Sequence, residues 1–390
     1  MILVGFGTVG LALSIVGPLV VPISAFVGSV PLAQTVAVTP FLGIGLSGLI
    51  AGWLIDRLGV RASLCLASLA LILPGLVGLI RPPVPLLVAA CFLAGASGAI
   101  TKVALTLLVG QLYEGAARGR VIGYAIGASG FISATTVYSS GVITDAFGWK
   151  AALLQFTGGG VLLLVFTLAG VRPGLRSAQP AEAAERPRLS MLAPVAGMIA
   201  AGCLFSMMAN STGSHIPLLL KEKGVHTSTA VASVLTAQVF CAMVGALAYG
   251  RLQPRLGRRR LAALGVCYLV VGGTVLATAQ TLPVFGIGGA LFGLASGTLL
   301  PWLNEGVLLR APPAVQGYAL GVLSTACYLG SFVNPFVFRP IREVVGLQGL
   351  YGVLTVAAVL IGGAFVAGAY MGGRRSPVVP EGAEAVSPQQ

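Results

Sequence analysis

Gly52-Trp53-Leu54-Ile55-Asp56-Arg57-Leu58-Gly59-Val60-Arg61 returns 198 residues later, in degenerate form, as Gly250-Arg251-Leu252-Gln253-Pro254-Arg255-Leu256-Gly257-Arg258-Arg259. Each copy follows one long apolar run and precedes another, so each reads as a charged turn between hydrophobic segments. Gly59 suits such a turn, because glycine accepts backbone angles closed to other residues. The spacing is kept elsewhere: Gly119 and Gly123 fall on Gly317 and Gly321, and Asp145 and Gly148 fall on Glu343 and Gly346. Three separated matches at one offset indicate an internal duplication.

The surrounding composition says what is duplicated. Of 390 residues, 56% are hydrophobic and 8% charged, whereas a soluble domain carries about 25% charged residues. Such a chain avoids exposing its apolar side chains to water only by placing them in lipid. A membrane helix satisfies its backbone internally and needs about 20 apolar residues to span the hydrocarbon. Cutting at charges and Gly/Pro breaks predicts twelve helices, near 1–27, 33–55, 62–80, 84–112, 121–144, 149–171, 191–219, 227–249, 261–279, 283–309, 315–338 and 345–371. The 55 glycines fit close helix packing. The first run lacks a charged leading segment and is read as a retained helix rather than a signal peptide.

The predicted organisation is a six-helix bundle (1–171), a linker (172–190), a second six-helix bundle (191–371) and a Pro/Glu/Gln-rich disordered tail (372–390). Six helices per half is an even number, which makes the repeat parallel, with its axis along the membrane normal. The predicted fold class is therefore an all-α membrane protein of two pseudo-symmetric bundles. With the N-terminus inside, inner segments collect sixteen of the 23 Lys and Arg and outer loops collect six. The positive-inside rule places both termini and the linker in the cytoplasm, as a multi-pass protein of the cell membrane.

The net charge of +13 does not indicate a nucleic-acid partner, because the arginines sit at helix ends without interleaved aromatics. Cys65, Cys91, Cys203, Cys241, Cys267 and Cys327 all lie in apolar segments with no metal-ligand spacing, so neither a metal nor a cofactor is expected.

The stretch Gly52–Arg61 resembles the signature loop of the major facilitator superfamily, roughly G-x-x-x-D-R-x-G-x-R, with its degenerate copy in the equivalent loop of the second half. The resemblance extends to Arg118-Gly-Arg-Val-Ile-Gly-Tyr124 and Gln316-Gly-Tyr-Ala-Leu-Gly321 and covers the twelve-helix region. It implies a secondary transporter that works by alternating access, two bundles rocking about a central cavity lined by helices one, four, seven and ten. It also implies that Asp56 helps hold the bundles together on the inner side in the outward-open state. Arg57, Gly59 and Arg61 complete that motif with Gly52. An exposed loop acid beside Arg57 is the plainer reading of Asp56, and Pro254 replaces it in the copy.

Inside the helices, Lys102 interrupts an otherwise uncharged run from Pro82 to Tyr113, where charge is expensive and usually functional. Gly98, Lys102 and Thr106 share a face at four-residue spacing, so Lys102 is expected to anchor an anion or gate the cavity, unless it snorkels toward the headgroups. Asn304 and Glu305 occupy the tenth helix, where Gly297, Pro301 and Glu305 form a stripe read as equivalent in the repeat to the one containing Lys102, so that Lys102 and Glu305 are expected to pair as an inner gate. Glu305 is read as a proton-exchanging acid, a salt-bridge partner (Lys102 among the candidates) or an interfacial acid. Asn210 and His215 make the seventh helix polar. Thr135 and Thr136 in the fifth helix, Gln238 in the eighth and Asn334 in the eleventh can bond a substrate or glue helices together.

The expected activity is transport of a small organic solute, an anion for preference, by a chain acting as a monomer in lipid. Proton-coupled efflux of drugs is the alternative. Against it, the fifth helix lacks the Gly-Pro pair, and the fourth the early Arg, that many drug-efflux members carry. The alternatives of another class are a non-transporting membrane receptor and a membrane enzyme; the enzyme would need convergent acid/base or metal groups, and a primary pump a Gly-Lys-Ser/Thr loop. The sequence has neither.

Overall fold

The computed structural model describes residues 2–80, 82–171, 189–312 and 315–372. The expected linker up to residue 188 and the expected tail from residue 373 lie outside these. The described residues are helical throughout, with no strand among them. Nine helices are long and apolar enough to cross a membrane among the described residues. Three of these, Val30–Val77, Ser228–Thr278 and Gln316–Gly372, run 48 to 57 residues. At about 1.5 Å per residue each would exceed 70 Å if straight, more than twice the hydrocarbon thickness. Each instead folds back at one residue with non-helical backbone: Gly59 (φ 80°, ψ 163°), Gly257 (φ 74°, ψ 159°) and Gly346 (φ 76°, ψ 174°).

Three helices that each hold two spans make twelve spans in all: α1 (Ile2–Val27), α2 and α3 (30–58 and 60–77), α4 (Val84–Leu112), α5 (Gly115–Phe147), α6 (Trp149–Gly170), α7 (Met191–Glu222), α8 and α9 (228–256 and 258–278), α10 (Leu282–Arg310), α11 and α12 (316–345 and 347–372). Gly59 and Gly257 are 198 residues apart, as are Gly148 (φ 86°) and Gly346, so the sequence repeat is also a repeat of backbone conformation. These angles are essentially open to glycine alone.

The sequence boundaries change at these turns. The expected gaps 56–61 and 250–260 are helical backbone broken only at Gly59 and Gly257, while the expected gap 339–344 is helical and the break falls at Gly346, inside the expected twelfth helix. Charged side chains at the water edge are solvated and need not end a helix, so Asp56, Arg57, Arg255 and Arg258 stay within the helical stretches. Two further breaks are new: α1 and α7 are each interrupted midway, at residues 15–19 and at Asn210.

Close packing inside each half follows the same register. A methyl group added at Gly95 of α4 would collide with the Pro40 carbonyl of α2. At the equivalent Gly293 of α10 it would collide with the Gln238 carbonyl of α8. Glycine is needed at both because the backbones touch. Between the halves, α2 meets α11 where Gly45 lies against Tyr328 and Thr325, and α5 meets α8 where Gly141 lies against Ala232.

Candidate functional site

The breaks in α1 and α7 occupy nearly equivalent places. Pro18 has no N–H to give the Ser14 carbonyl, and the helix stops at Ser14. In α7 the backbone leaves helical geometry at Asn210 (φ −85°, ψ 1°), seven residues before Pro217. A broken helix frees carbonyls that the bilayer cannot satisfy, each costing several kcal/mol if left bare. Discontinuous helices at the midplane of paired bundles are where carriers of this architecture bind solute.

Most of the polar candidates serve these breaks. Gln238 Nε2 donates to the Ala209 carbonyl (3.1 Å) and its Oε1 accepts from Thr212 Oγ1 (2.6 Å). Asn334 Nδ2 donates to the Met207 carbonyl, and its Oδ1 accepts from Ser214 Oγ (3.0 Å). Asn210 Nδ2 donates to the Ser206 carbonyl (3.1 Å) and to Ser331 Oγ (2.9 Å). His215 is fully buried, its Nδ1 3.2 Å from the Ser211 carbonyl and its ring 6.3 Å from Phe338. In α5, Thr135 and Thr136 bond back to the Phe131 and Ile132 carbonyls. In this state, therefore, Asn210, Gln238 and Asn334 tie α7 to α8 and α11, and none of their contacts reaches Lys102.

The two ends of the inter-half gap differ. On the face bearing Asp145, the Asp145 carboxylate at the end of α5 accepts from Ser228 N (2.8 Å), Thr229 N (2.8 Å) and Thr229 Oγ1 (2.6 Å). It caps the N-terminus of α8 across the interface, where free N–H groups and the helix dipole favour an anion. Nearby, buried Gln34 of α2 donates to the Ser214 carbonyl (2.9 Å) and accepts from Arg342 Nη1 of α11 (3.3 Å). Toward the face bearing Asp56, Thr325 Oγ1 of α11 reaches the Gly45 carbonyl of α2 at 3.4 Å, and no ion pair crosses between the halves there among the described residues. Asp56 is exposed, Arg57 stacks on Trp53 of its own helix (4.9 Å), and Arg61 Nη2 reaches the Leu168 carbonyl of α6 (3.3 Å). The polar contacts between the halves gather on the Asp145 face.

Lys102 sits in that gap. It lies ten residues from the end of α4, about 15 Å along the helix. Its side chain is exposed, and its Nζ is 5.9 Å from the Tyr328 ring of α11, in the other half. Among the described residues no carboxylate lies within ion-pair distance of it. Thr106, one turn on, uses its hydroxyl on the Lys102 carbonyl (2.7 Å).

Glu305 points elsewhere. Tyr249 donates its hydroxyl to Glu305 Oε2, Gln253 Nε2 donates to Oε1 (3.2 Å), and Arg258 Nε lies 3.8 Å from Oε2. Arg258 in turn donates to the Trp302 carbonyl (3.0 Å) and lies over the Trp302 ring (4.7 Å). Glu305 and Lys102 form no ion pair here, and the repeat register explains why. The residue 198 positions after Lys102 is Leu300, so the Gly297–Pro301–Glu305 stripe is one residue out of step with Gly98–Lys102–Thr106. One residue rotates a helix face by about 100°, which aims Glu305 at α8 and α9. Asn304 is exposed on α10.

Sequence reasoning missed Gln34, Tyr249, Arg258, Tyr328 and Arg342, and it used Asp145 only to fix the repeat. Gln34 carried a usable signal as the lone amide between residues 30 and 55. The others sit at helix ends or look like ordinary wall residues.

Comparison with known proteins adds a lineage. The family model described as Major Facilitator Superfamily matches residues 2–335. The multidrug efflux pump Tap of Mycolicibacterium fortuitum is 26% identical over 129 residues, 33% of this chain and 32% of that protein. The chain thus spans about a third of the length of such curated relatives. The nitrite extrusion protein of Bacillus subtilis is 22% identical over 312 residues, 76% of this chain and 74% of that one. The inward-open structure of the xylose transporter XylE from E. coli superposes with a TM-score of 0.71 over 92% of this chain and 94% of that one, at 15% identity.

Proposed function

The chain belongs to the major facilitator superfamily, and from that premise we propose that it carries a small anionic solute across the membrane by alternating access, with Lys102 as the selecting charge. The observation that carries this reading is the unpaired ammonium in the open gap. A cation with no carboxylate beside it attracts an anion, and it faces Tyr328 of the opposite half at 5.9 Å, so an anion bound there touches both moving parts. The relative aligned over most of the chain is named for extruding nitrite, itself a small anion. The halves 1–171 and 191–371 are the rocking units, acting within a monomer, and the charge distribution supports a cytoplasmic Asp56 face. In that orientation the state described is inward-open.

Binding to purified protein tests this reading. Nitrite, nitrate and small carboxylates should raise the melting temperature, while neutral sugars and organic cations leave it unchanged, because a ligand stabilises the state it binds. Lys102→Gln should abolish the rise. Stabilisation by cations, or by anions equally well in Lys102→Gln, would overturn the assignment.

A second reading, efflux of hydrophobic compounds, is favoured by the local match to Tap. It requires dye transport into inverted vesicles that survives Lys102→Gln.

A further inference from the structure

The two halves are alike in register but not in filling. In the first half, α1, α3, α4 and α6 close on each other. Leu11 of α1 lies against Gly159 of α6, and a methyl group at Gly160 would sit 2.8 Å from the Ser68 carbonyl of α3. Phe6 and Leu163 there are 8% and 1% exposed.

At the equivalent places of the second half the residues are Ala209 for Leu11, Ala357 for Gly159, Ala358 for Gly160 and Val266 for Ser68. Two short side chains replace the Leu–Gly contact between the first and last helices. Val266 for Ser68 and Ala358 for Gly160 line the space between these helices. The counterparts of Phe6 and Leu163, Leu204 and Ile361, are each 38% exposed. Between α7, α9, α10 and α12 this leaves a crevice with about 620 Å³ of empty space, part of it open to the exterior. Its walls include Phe205, Met208, Ala262, Trp302, Ala358 and Ile361, all apolar apart from the indole N–H.

Depth and charge identify the occupant. Trp302 lies eight residues, about 12 Å, from the end of α10, and Ala262 lies four residues, about 6 Å, from the start of α9. The crevice is therefore in the leaflet on the Asp56 face. Arg258 covers the Trp302 wall at 4.7 Å, and Arg255, Arg260 and Arg310 are exposed at the same helix ends. Glu305 lies beside Arg258 and is engaged by Tyr249, Gln253 and Arg258. A basic rim over an apolar slot at a helix-bundle edge suits a phosphate with a chain below it. We propose that this crevice binds an acyl chain of an anionic phospholipid from the bilayer, with the phosphate held by the arginines at the rim.

The site stands apart from the Lys102 gap. Trp302 is also its reporter. In the full chain carrying Trp53→Phe and Trp149→Phe, the remaining tryptophan lines the crevice. Reconstituted in phosphatidylcholine vesicles with a minor fraction of dibrominated phosphatidylglycerol, its fluorescence should be quenched at least twofold more than by the same fraction of dibrominated phosphatidylcholine. Ala358→Leu and Ala262→Leu fill the slot from opposite walls, and each should reduce the quenching by phosphatidylglycerol. Arg260→Gln with Arg310→Gln should bring the two lipids level. Equal quenching by both lipids, no quenching by either, or an excess that persists in both filling variants would each overturn the site.

Discussion

Replacing Asp145 tests the latch directly. Its carboxylate takes three hydrogen bonds from the start of α8, at 2.8, 2.8 and 2.6 Å, and all three cross between the halves. They cannot survive separation of α5 from α8 on that face, so their free energy belongs to one state only. Because the group is solvent-exposed, screening places its worth at the level of an ordinary helix cap, about 1–2 kcal/mol. A ligand or contact shifts a two-state equilibrium by its differential energy alone, so Asp145→Ala should move the populations about 5- to 30-fold toward the form open on the Asp145 face. Asp145→Asn keeps one acceptor oxygen and should fall between. Spin labels at Phe147→Cys and Val344→Cys, exposed ends of α5 and α11 in opposite halves, report that opening as a longer distance by double electron–electron resonance. Distance distributions unchanged in both variants would refute the latch.

Other expected outcomes follow from the same contacts. Lys102→Gln should weaken anion binding at least tenfold, a loss of about 1.5–3 kcal/mol, read by calorimetry, while Tyr328→Phe should keep it. Asn334→Ala removes two bonds around the α7 break, each worth about 0.6–1.7 kcal/mol in a membrane protein, and should lower the melting temperature; an unchanged value would mean the break is held by backbone alone. Gly257→Ala meets no neighbouring atom within 4 Å, so it isolates the backbone cost of a positive φ, about 1–3 kcal/mol of stability in a denaturant titration. Membrane-impermeant labelling of intact cells should reach a cysteine at Lys223 and spare one at position 180; the reverse pattern would invert the orientation.

Sequence alone determined the number of spans, the duplication and the family, because each is a local or periodic property. Hydropathy over 20 residues reports burial in lipid whatever the helix packs against, and Gly59 and Gly257 announce turns that little else can make. Helix rotation and partnership are not local. The sequence placed Asn210, Gln238 and Asn334 inside the bilayer, but tertiary packing decided that they satisfy the α7 break, since the break itself depends on how α7 meets α8 and α11. A single residue of register, Leu300 rather than Pro301 opposite Lys102 in the repeat, turns Glu305 away from the gap and leaves Lys102 unpaired. The latch joins Asp145 to Ser228 and Gln34 to Arg342, 83 and 308 residues apart. No pattern along the chain encodes which of two interchangeable sets of inter-half contacts is made. Tertiary structure decided that, because the choice is between two packings of the same helices.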